Sequence, residues 1–272
     1  SDNAGLYLKY LWGVQSGLPV APAAPSLFTL YRQPPRLGRA LVVGISQSGQ
    51  SPDIVEVLRE GRRQGAPAIA ITNDPASPLA ENADVVLDIQ AGEEKAVAAT
   101  KTYTAQLLTI AMLSAALAGD EGAWGALAAL PDVVEQAIGQ DSLIEQAAKR
   151  YTFMPQCVVL GRGYNYAPAC EWALKLKELT YVLTEPYSSA DFQHGPIAIV
   201  EHGFPVLAVA PQGKVAGEML ALLRRLKGEH RADLLVISND EEALGLAPTP
   251  LRPPPGVPER LTPLASIVRG QL

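Results

Sequence analysis

The segment from Gly44 to Asp53 (GISQSGQSPD) places three serines and two glutamines close together. An apolar run, Ala40–Ser46, leads into it, and a helical pattern follows Pro52. Hydroxyl and backbone N–H groups at the start of a helix favour an anion, and Gly49 lets the backbone approach a ligand closely. The segment lacks the lysine of a nucleotide-binding P-loop. It predicts a cradle for a single phosphate; the alternative is a serine-rich turn that only caps the helix.

One helical stretch places three charged residues on the same face. Glu171, Lys175 and Glu178 are spaced i, i+4 and i+7, which brings them together on one side of a helix. The interleaved residues, Leu174 and Leu179 among them, are mostly apolar, so we expect this helix to be largely buried. A buried glutamate beside a lysine is a candidate acid–base pair, because burial and a neighbouring charge shift both pKa values. The alternative is a solvated ladder of charges.

A polar segment, Thr184–Pro196, contains His194 directly before a Gly-Pro pair. Imidazole is the usual proton shuttle near neutral pH, and a loop gives it access to a ligand. The alternative is a histidine with a purely structural role. We assign no role to the other two histidines, His202 and His230.

The segment Gly92–Ala99 ends in small residues and leads into Thr100-Lys101-Thr102-Tyr103. Small residues before a helix let a ligand contact backbone groups. They equally suit close packing between helices, and the sequence does not decide between the two interpretations.

Short apolar runs bounded by turn residues indicate the strands that must position these groups. They are Ala40–Ser46, Ala68–Asn73, Cys157–Gly161 and Leu234–Asn239, with Val85–Ile89 and Pro205–Ala210 as further candidates. Helical patterns lie between them at Asp53–Gln64, Val97–Ala118, Ala167–Leu183 and Val215–Lys227. The apolar runs lack polar alternation and alternate with helices. We therefore predict an α/β fold with parallel strands covered on both faces.

Two pairs of segments repeat at nearly one offset. Ala40–Ser46 resembles Pro205–Pro211 at an offset of 165, and Ile69–Asp74 resembles Leu235–Asp240 at an offset of 166. We therefore expect two copies of one unit, with a first domain over 1–120, a helical connection over 121–150 and a second domain over 151–272.

The repeat also leads to an expectation about the two ends of the sequence. In the second copy the strand Cys157–Gly161 precedes a helix, whereas in the first copy Ser1 stands directly before one. We therefore expect that the leading strand of the first domain and a tail beyond Leu272 are missing from this segment.

Composition excludes several classes of function. The chain has 272 residues, 48% of them hydrophobic, which is enough for one large or two medium domains. A net charge of −6 argues against a nucleic-acid partner. Two cysteines favour a reducing, cytoplasmic setting, and three histidines argue against a metal centre. An unbroken apolar run of about 18 residues is lacking, so no membrane span is expected.

The motifs Ser46–Gly49, Val97–Lys101, Ala173–Glu178 and Gln193–Pro196 occur in one order over nearly the whole chain. Together they resemble the sugar isomerase (SIS) domain family. The best match is to the double-SIS isomerase half of glucosamine-6-phosphate synthases and to the stand-alone SIS-type glucosamine-6-phosphate deaminases. The resemblance implies two tandem SIS domains, each a parallel sheet flanked by helices in three αβα layers. Among the stand-alone relatives, the sequence within Gly92–Tyr103 looks closest to the deaminases.

The resemblance also implies roles for individual residues. The sugar phosphate would be bound by Ser46, Gln47, Ser48 and Ser51, helped by Ser1, with backbone contacts from Val97 and Ala98. Glu178 would be the base that moves a proton between C1 and C2, Lys175 would assist near O1 and O2, and His194 would open the sugar ring. In the family this histidine comes from the neighbouring subunit, which implies a homodimer. The scheme needs no cofactor and no metal.

The sequence departs from the family pattern at several points. Ala99 stands where synthases often have serine, and no part of the segment corresponds to a glutaminase domain or to the family's tail lysine. We expect interconversion of glucosamine 6-phosphate and fructose 6-phosphate with ammonia. The alternatives are an isomerase or deaminase for another amino-sugar or amino-acid-linked sugar phosphate, and a sensor that binds sugar phosphate without turnover. Such sensors carry a DNA-binding module, which is not visible here.

Overall fold

A computed structural model describes residues 1–139, 141–152 and 154–272 of the chain. The chain divides into two compact units, Ser1–Ala118 and Gly119–Leu272. Each unit contains one parallel sheet with helices packed against it.

The first unit contains three strands and five helices. The strands are β1 (Val42–Ser46), β2 (Ala68–Thr72) and β3 (Val85–Asp88), and they pair in the order β1-β2-β3. All pairs are parallel, with Val42 opposite Ala68 and Ile69 opposite Val85. The helices are α1 (Asp2–Ser16), α2 (Ser26–Thr29), α3 (Pro52–Arg63), α4 (Pro78–Glu81) and α5 (Lys101–Ala118).

Two glycines let helix α3 pack closely on strand β1. A Cβ on Gly44 would lie 2.6 Å from a methyl carbon of Leu58, and one on Gly61 would lie 2.8 Å from a methyl carbon of Val42. A larger residue at either position would push the helix away from the sheet. The close contact holds the start of α3 at the carboxyl end of β1, where the serine-rich segment lies.

The described residues of the second unit form five strands and eight α-helices. The strands are β4 (Gln156–Gly161), β5 (Leu183–Ser188), β6 (Pro205–Val209), β7 (Asp233–Ile237) and β8 (Thr249–Leu251), all parallel in the order β5-β4-β6-β7-β8. The helices are α6 (Glu121–Ala128), α7 (Leu130–Ile138), α8 (Asp141–Arg150), α9 (Tyr166–Thr180), α10 (Ser189–Gln193), α11 (Ala216–Gly228), α12 (Glu241–Leu246) and α13 (Thr262–Gln271).

Different helices cover the two faces of the second sheet. Val158 and Leu160 of β4 pack in one apolar cluster with Phe192 of α10 and with the buried residues of α11. On the other face, a Cβ on Gly161 would lie 2.8 Å from the Cβ of Ala169 in α9. Side chains alternate between the faces of a strand, so residues 158 and 160 point away from the side to which residue 161 points. Helices α9 and α10 therefore lie on opposite faces.

The repeat predicted from the sequence has a counterpart in the hydrogen bonds. Thr72 at the end of β2 donates its hydroxyl to the carbonyl of Gln47 (3.4 Å), and Ser238 after β7 donates to the carbonyl of Ala210 (2.6 Å). Both hydroxyls also accept the backbone N–H two residues further on, at 3.2 and 3.0 Å. In each sheet, a side-chain hydroxyl at the end of one strand thus hydrogen-bonds the segment that follows the neighbouring strand.

One predicted helix is too long. We expected a helix over Ala167–Leu183, but α9 ends at Thr180 because Tyr181 adopts a left-handed φ of 59°. The polar segment that follows, expected to be a loop, contains strand β5 and helix α10. Strand β5 was missed because it contains Glu185 and Pro186, and an edge strand tolerates both. The short edge strand β8 was missed for the same reason.

Two further expectations need correction. The helix predicted from Val97 begins at Lys101, and β3 is not covered on both faces, since Val85 is 51% exposed at the sheet edge. The described residues of the predicted connection over 121–150 form helices α6, α7 and α8. Among the described helices, none combines the length and hydropathy that crossing a bilayer requires.

Candidate active site

The serine-rich segment forms a tight turn between β1 and α3. Ser46 is buried at the end of β1, and its hydroxyl oxygen accepts the N–H of Gly49 (3.1 Å). Gly49 has a left-handed φ of 63°, and a Cβ there would lie 2.1 Å from the hydroxyl oxygen of Ser77. Only glycine meets both conditions without strain. The buried Ser46 hydroxyl therefore stabilises the turn through its hydrogen bond with Gly49.

The chain after β2 supports this turn from behind. The carbonyl of Gln47 accepts the N–H of Asn73 (3.1 Å), and the carbonyl of Gly49 accepts the N–H of Leu79 (3.1 Å). Ser77 and Thr72 beneath the turn are fully buried. The turn is therefore held in shape before any ligand arrives, which lowers the entropy cost of binding.

The remaining predicted phosphate ligands face outward from the same turn. Ser48 is exposed, whereas Gln47 and Ser51 are half-buried. Ser51 occupies the cap position of α3, and its side chain makes no capping hydrogen bond. The structure thus brings Gln47, Ser48 and Ser51 together at a helix N-terminus, where the helix dipole favours an anion.

Ser1 lies at the start of α1 in the same unit. Its hydroxyl oxygen accepts a hydrogen bond from the side-chain amide of Gln106 in α5 (3.1 Å), and Gln106 is only 1% exposed. Sequence reasoning did not find Gln106, because a lone glutamine in an apolar helix carries no recognisable motif.

The segment before α5 is organised by Glu94. Its carboxylate accepts the N–H groups of Thr100 and Thr102 (both 3.2 Å) and the Thr102 hydroxyl (3.1 Å). Burial raises the pKa of Glu94, but these hydrogen bonds and the nearby lysine lower it more, so the pKa ends below its ordinary value. Of the predicted backbone ligands, Val97 is fully exposed and Ala98 is buried.

Helix α9 brings Glu171, Lys175 and Glu178 together, as their spacing predicts. The ammonium of Lys175 lies 2.9 Å from a carboxylate oxygen of Glu178 and 3.3 Å from one of Glu171. The Lys175 and Glu171 side chains are almost fully buried, whereas that of Glu178 is 40% exposed. The carboxylate of Glu178 is therefore accessible while a buried cation holds it in place.

The expectation that α9 is largely buried holds only for its first half. Leu174 is 36% exposed and Leu179 is 57% exposed. The residues from Lys177 to Thr180 at the end of α9 are exposed.

His194 follows α10 directly and is exposed. Its backbone N–H donates to the carbonyl of Asp191 (3.1 Å), which closes the short helix. Within one copy of the chain, His194 and Glu178 are not brought together, because α10 and α9 lie on opposite faces of the sheet.

The other reactive side chains do not suggest a second kind of chemistry. Burial raises the pKa of the Cys157 thiol to about 11, although it also contacts the Thr184 hydroxyl at 3.6 Å. Among the described residues, no three histidine, cysteine, aspartate or glutamate side chains are grouped as a metal ion would need.

Comparison with known proteins places this geometry in a family. The SIS domain model matches residues 38–116 and 155–244, which is more than half of the chain. The chain belongs to the SIS domain family. The two matches of the SIS domain model fall on the two units, one on each parallel sheet.

The relatives of this SIS domain chain include a curated enzyme and two solved structures. It is 35% identical over 282 residues to the isomerizing glutamine–fructose-6-phosphate aminotransferase of Gloeobacter violaceus, an alignment that covers 100% of the chain and 46% of the relative. The chain thus spans about half the length of the curated relatives it matches.

The first solved structure is the C-terminal domain of a glucosamine-fructose-6-phosphate aminotransferase from Francisella tularensis. It matches with a TM-score of 0.89 and 28% identity, covering 99% of the chain and 79% of that structure. The second comes from Silicibacter pomeroyi and is described only provisionally as a phosphosugar isomerase. It matches with a TM-score of 0.86 and 35% identity over 99% of the chain and 80% of that structure.

Proposed function

We propose that this SIS protein interconverts glucosamine 6-phosphate and fructose 6-phosphate, with release or uptake of ammonia. The observation that carries the proposal is the carboxylate of Glu178, accessible at one end of α9 and held at 2.9 Å by the buried ammonium of Lys175. A carboxylate in this setting can take up and return a proton.

The turn at Gln47, Ser48 and Ser51 is proposed to hold the phosphate of the substrate. Hydroxyls and backbone N–H groups at the start of α3 match the acceptor oxygens of one phosphate. Binding at the phosphate is remote from the reacting carbons, so its energy can orient C1 and C2. Ser1 and the backbone at Val97 and Ala98 are proposed to contact the sugar.

The proposed reaction runs in balanced proton transfers. His194 moves a proton from the O1 hydroxyl to the ring oxygen, which opens the ring to the aldehyde. Glu178 removes the C2 proton and returns it to C1. Lys175, near O1 and O2, gives a proton to O1 and takes one from the amine, so the aldehyde oxygen becomes a hydroxyl and the amine becomes an imine at C2. Water then adds to C2, its two protons go to the nitrogen, and ammonia leaves as fructose 6-phosphate forms. Each side chain thus returns to its starting protonation state.

We further propose that the active form is a homodimer in which His194 serves the site of the other copy. The support is the position of the two groups, on helices packed against opposite faces of one sheet. A histidine must come to about 3 Å from the group it protonates, directly or through one water. Within one copy the sheet separates His194 from Glu178.

The test is turnover of glucosamine 6-phosphate by the full-length protein, with fructose 6-phosphate and ammonia both measured. We expect turnover in the wild type and at least a 100-fold loss in Glu178→Gln. Glu185→Gln is the matched control, because Glu185 lies in the same unit and its side chain is 66% exposed. We expect it to keep full activity.

Three outcomes would point elsewhere. Equal losses in both variants would mean that Glu178 is not the base. Protection of the protein against thermal unfolding by the sugar phosphate, without product, would favour a sensor. Turnover of a different amino-sugar phosphate alone would favour the alternative substrate.

A further inference from the structure

Helix α10, which directly precedes His194, is too short to be stable without packing against the rest of the unit. It has five residues, whereas isolated helices become stable only at about 12–15 residues. Phe192 anchors its middle, fully buried with its ring 5.4 Å from that of Tyr187. The side chain of Gln193 donates to the carbonyl of Ser189 (3.0 Å), which couples the end of the helix to its beginning.

The beginning of α10 is tied to a polar cluster of four residues from four elements. Arg162, just after β4, donates to the hydroxyl of Ser188 at the end of β5 (2.9 Å). The hydroxyl of Ser189, the first residue of α10, donates to a carboxylate oxygen of Glu218 in the first turn of α11 (2.8 Å). Arg162 and Glu218 also form an ion pair at 3.4 Å.

We propose that Arg162 and Glu218 are positioning residues for His194. This inference rests on the proposed function, in which His194 opens the ring of the sugar. The pair clamps Ser188 and Ser189 together at the point where β5 turns into α10. The direction in which α10 leaves the sheet, and with it the position of the imidazole, depends on this clamp.

The burial pattern separates this role from general stabilisation. The Arg162 and Glu218 side chains are 32% and 41% exposed, and an ion pair so exposed contributes little to stability. The apolar anchors of the segment, Phe192 and Ile197, are buried independently of it. Loss of the clamp leaves the fold in place and shifts the histidine. A displacement of about 1 Å in a reacting group can cost on the order of 100-fold in rate.

The test compares two substrates that differ in the need for ring opening. Glucosamine 6-phosphate closes to a ring, whereas its 4,5-dideoxy analogue lacks both hydroxyls that could close a five- or six-membered ring and stays open. For Arg162→Ala in the full-length protein we expect kcat on glucosamine 6-phosphate to fall about 10- to 100-fold with little change in KM. We expect kcat on the 4,5-dideoxy analogue to stay within about two-fold of its wild-type value, because His194 has no ring to open.

Further variants keep the test clear if Arg162→Ala does not fold. Arg162→Lys keeps the charge but cannot reach both partners with a fork of donors, so it should restore only part of the rate. Glu218→Gln should cause a smaller loss in the same direction. Arg224→Ala is the control, because Arg224 lies on the same helix as Glu218 and, among the described residues, pairs with exposed Glu242.

The outcomes separate the clamp from the proposed function. An equal loss on both substrates, or none on either, would overturn the clamp. If His194→Ala also slows both substrates equally, His194 does not act in ring opening. The proposal that Arg162 and Glu218 position it for that step is then overturned as well. If the wild type converts neither substrate, the proposed function itself fails.

Discussion

Glu178 and His194 are carried by helices that pack on opposite faces of the second sheet. Helix α9 approaches the sheet on the side of Gly161, whereas α10 packs among the side chains on the side of Val158. Layers packed on a sheet lie on the order of 10 Å from it, too far for direct proton transfer across it. If both residues act on one sugar, they come from two copies of the chain.

Mixing two inactive variants tests this arrangement. Glu178→Gln and His194→Ala should each be inactive alone, since each lacks one proton-transfer group. In a mixed dimer one site has lost both groups and the other has kept both. Random mixing of two homodimers should therefore restore about a quarter of wild-type activity.

Two controls make the mixing result specific. Mixing Glu178→Gln with wild-type protein should add no activity beyond that of the wild type present. Activity that fails to return, while native mass spectrometry shows mixed dimers, would mean that both residues serve the same copy.

Lys175 should be important for stability as well as for chemistry. Lys175→Met removes the buried ammonium that lies 3.3 Å from the buried carboxylate of Glu171, and removal of one partner of a buried ion pair costs about 3–5 kcal/mol. Lys177→Met is the matched control, because Lys177 is 40% exposed and lies 3.8 Å from exposed Glu185. Its cost should be below about 1 kcal/mol.

Urea unfolding at pH 7 measures both costs. Equal midpoints for the two variants would show that the Glu171–Lys175 pair adds nothing. Lys175→Met combined with Glu171→Leu should recover much of the loss, because it removes the buried charge together with its partner.

The strands of the core were predictable because apolar runs without polar alternation are typical of buried parallel strands. Val42–Ser46 and Asp233–Ile237 belong to this class. Strand β5 was not predictable, because it contains Glu185 and Pro186. A strand at the edge of a sheet accommodates both residue types, but the sequence does not reveal that this segment lies at an edge. The exposed end of α9 was also missed, since apolar residues such as Leu174 and Leu179 suggested burial, although they are 36% and 57% exposed.

Glu94 should contribute to stability in a pH-dependent way. Glu94→Ala removes the acceptor of the hydrogen bonds at the start of α5, and loss of such a cap costs about 1 kcal/mol at pH 7. The folded pKa of Glu94 lies below its ordinary value of 4.5, so its contribution is complete above pH 4.5. It is lost as pH falls through the folded pKa.

The measurement is the urea midpoint of wild type and Glu94→Ala between pH 7 and pH 2. The difference should shrink as the pH falls below 4.5. Glu93→Ala is the control, because its side chain is exposed and makes no hydrogen bond among those described. A difference that stays constant with pH would show that the charge of Glu94 does not matter.

The candidate site was predictable where one short sequence motif contains several of the site residues. Gln47, Ser48 and Ser51 follow one strand, and Lys175 and Glu178 share one helix turn. The supports come from distant parts of the chain: Ser77 lies under Gly49, and Glu94 lies six residues before Thr100. That spacing differs from the three-residue capping box, so no local signal identified Glu94.

Gly49 offers the sharpest test of the phosphate turn, because Gly17 shares its backbone angle. Both have a φ of 63°, but a Cβ on Gly17 would meet nothing within 4 Å, whereas one on Gly49 would lie 2.1 Å from the Ser77 hydroxyl. Gly17→Ala therefore measures the cost of the left-handed angle alone, about 1 kcal/mol. Gly49→Ala adds a collision that must move the turn.

Gly49→Ala and Gly17→Ala should thus differ more in substrate binding than in folding. We expect KM for glucosamine 6-phosphate to rise at least ten-fold in Gly49→Ala and to stay near wild type in Gly17→Ala. Inorganic phosphate should show the same contrast as a competing ligand, since it needs only the turn. If both variants bind phosphate like the wild type, the turn between β1 and α3 is not the phosphate site, and the anion must bind elsewhere on the chain.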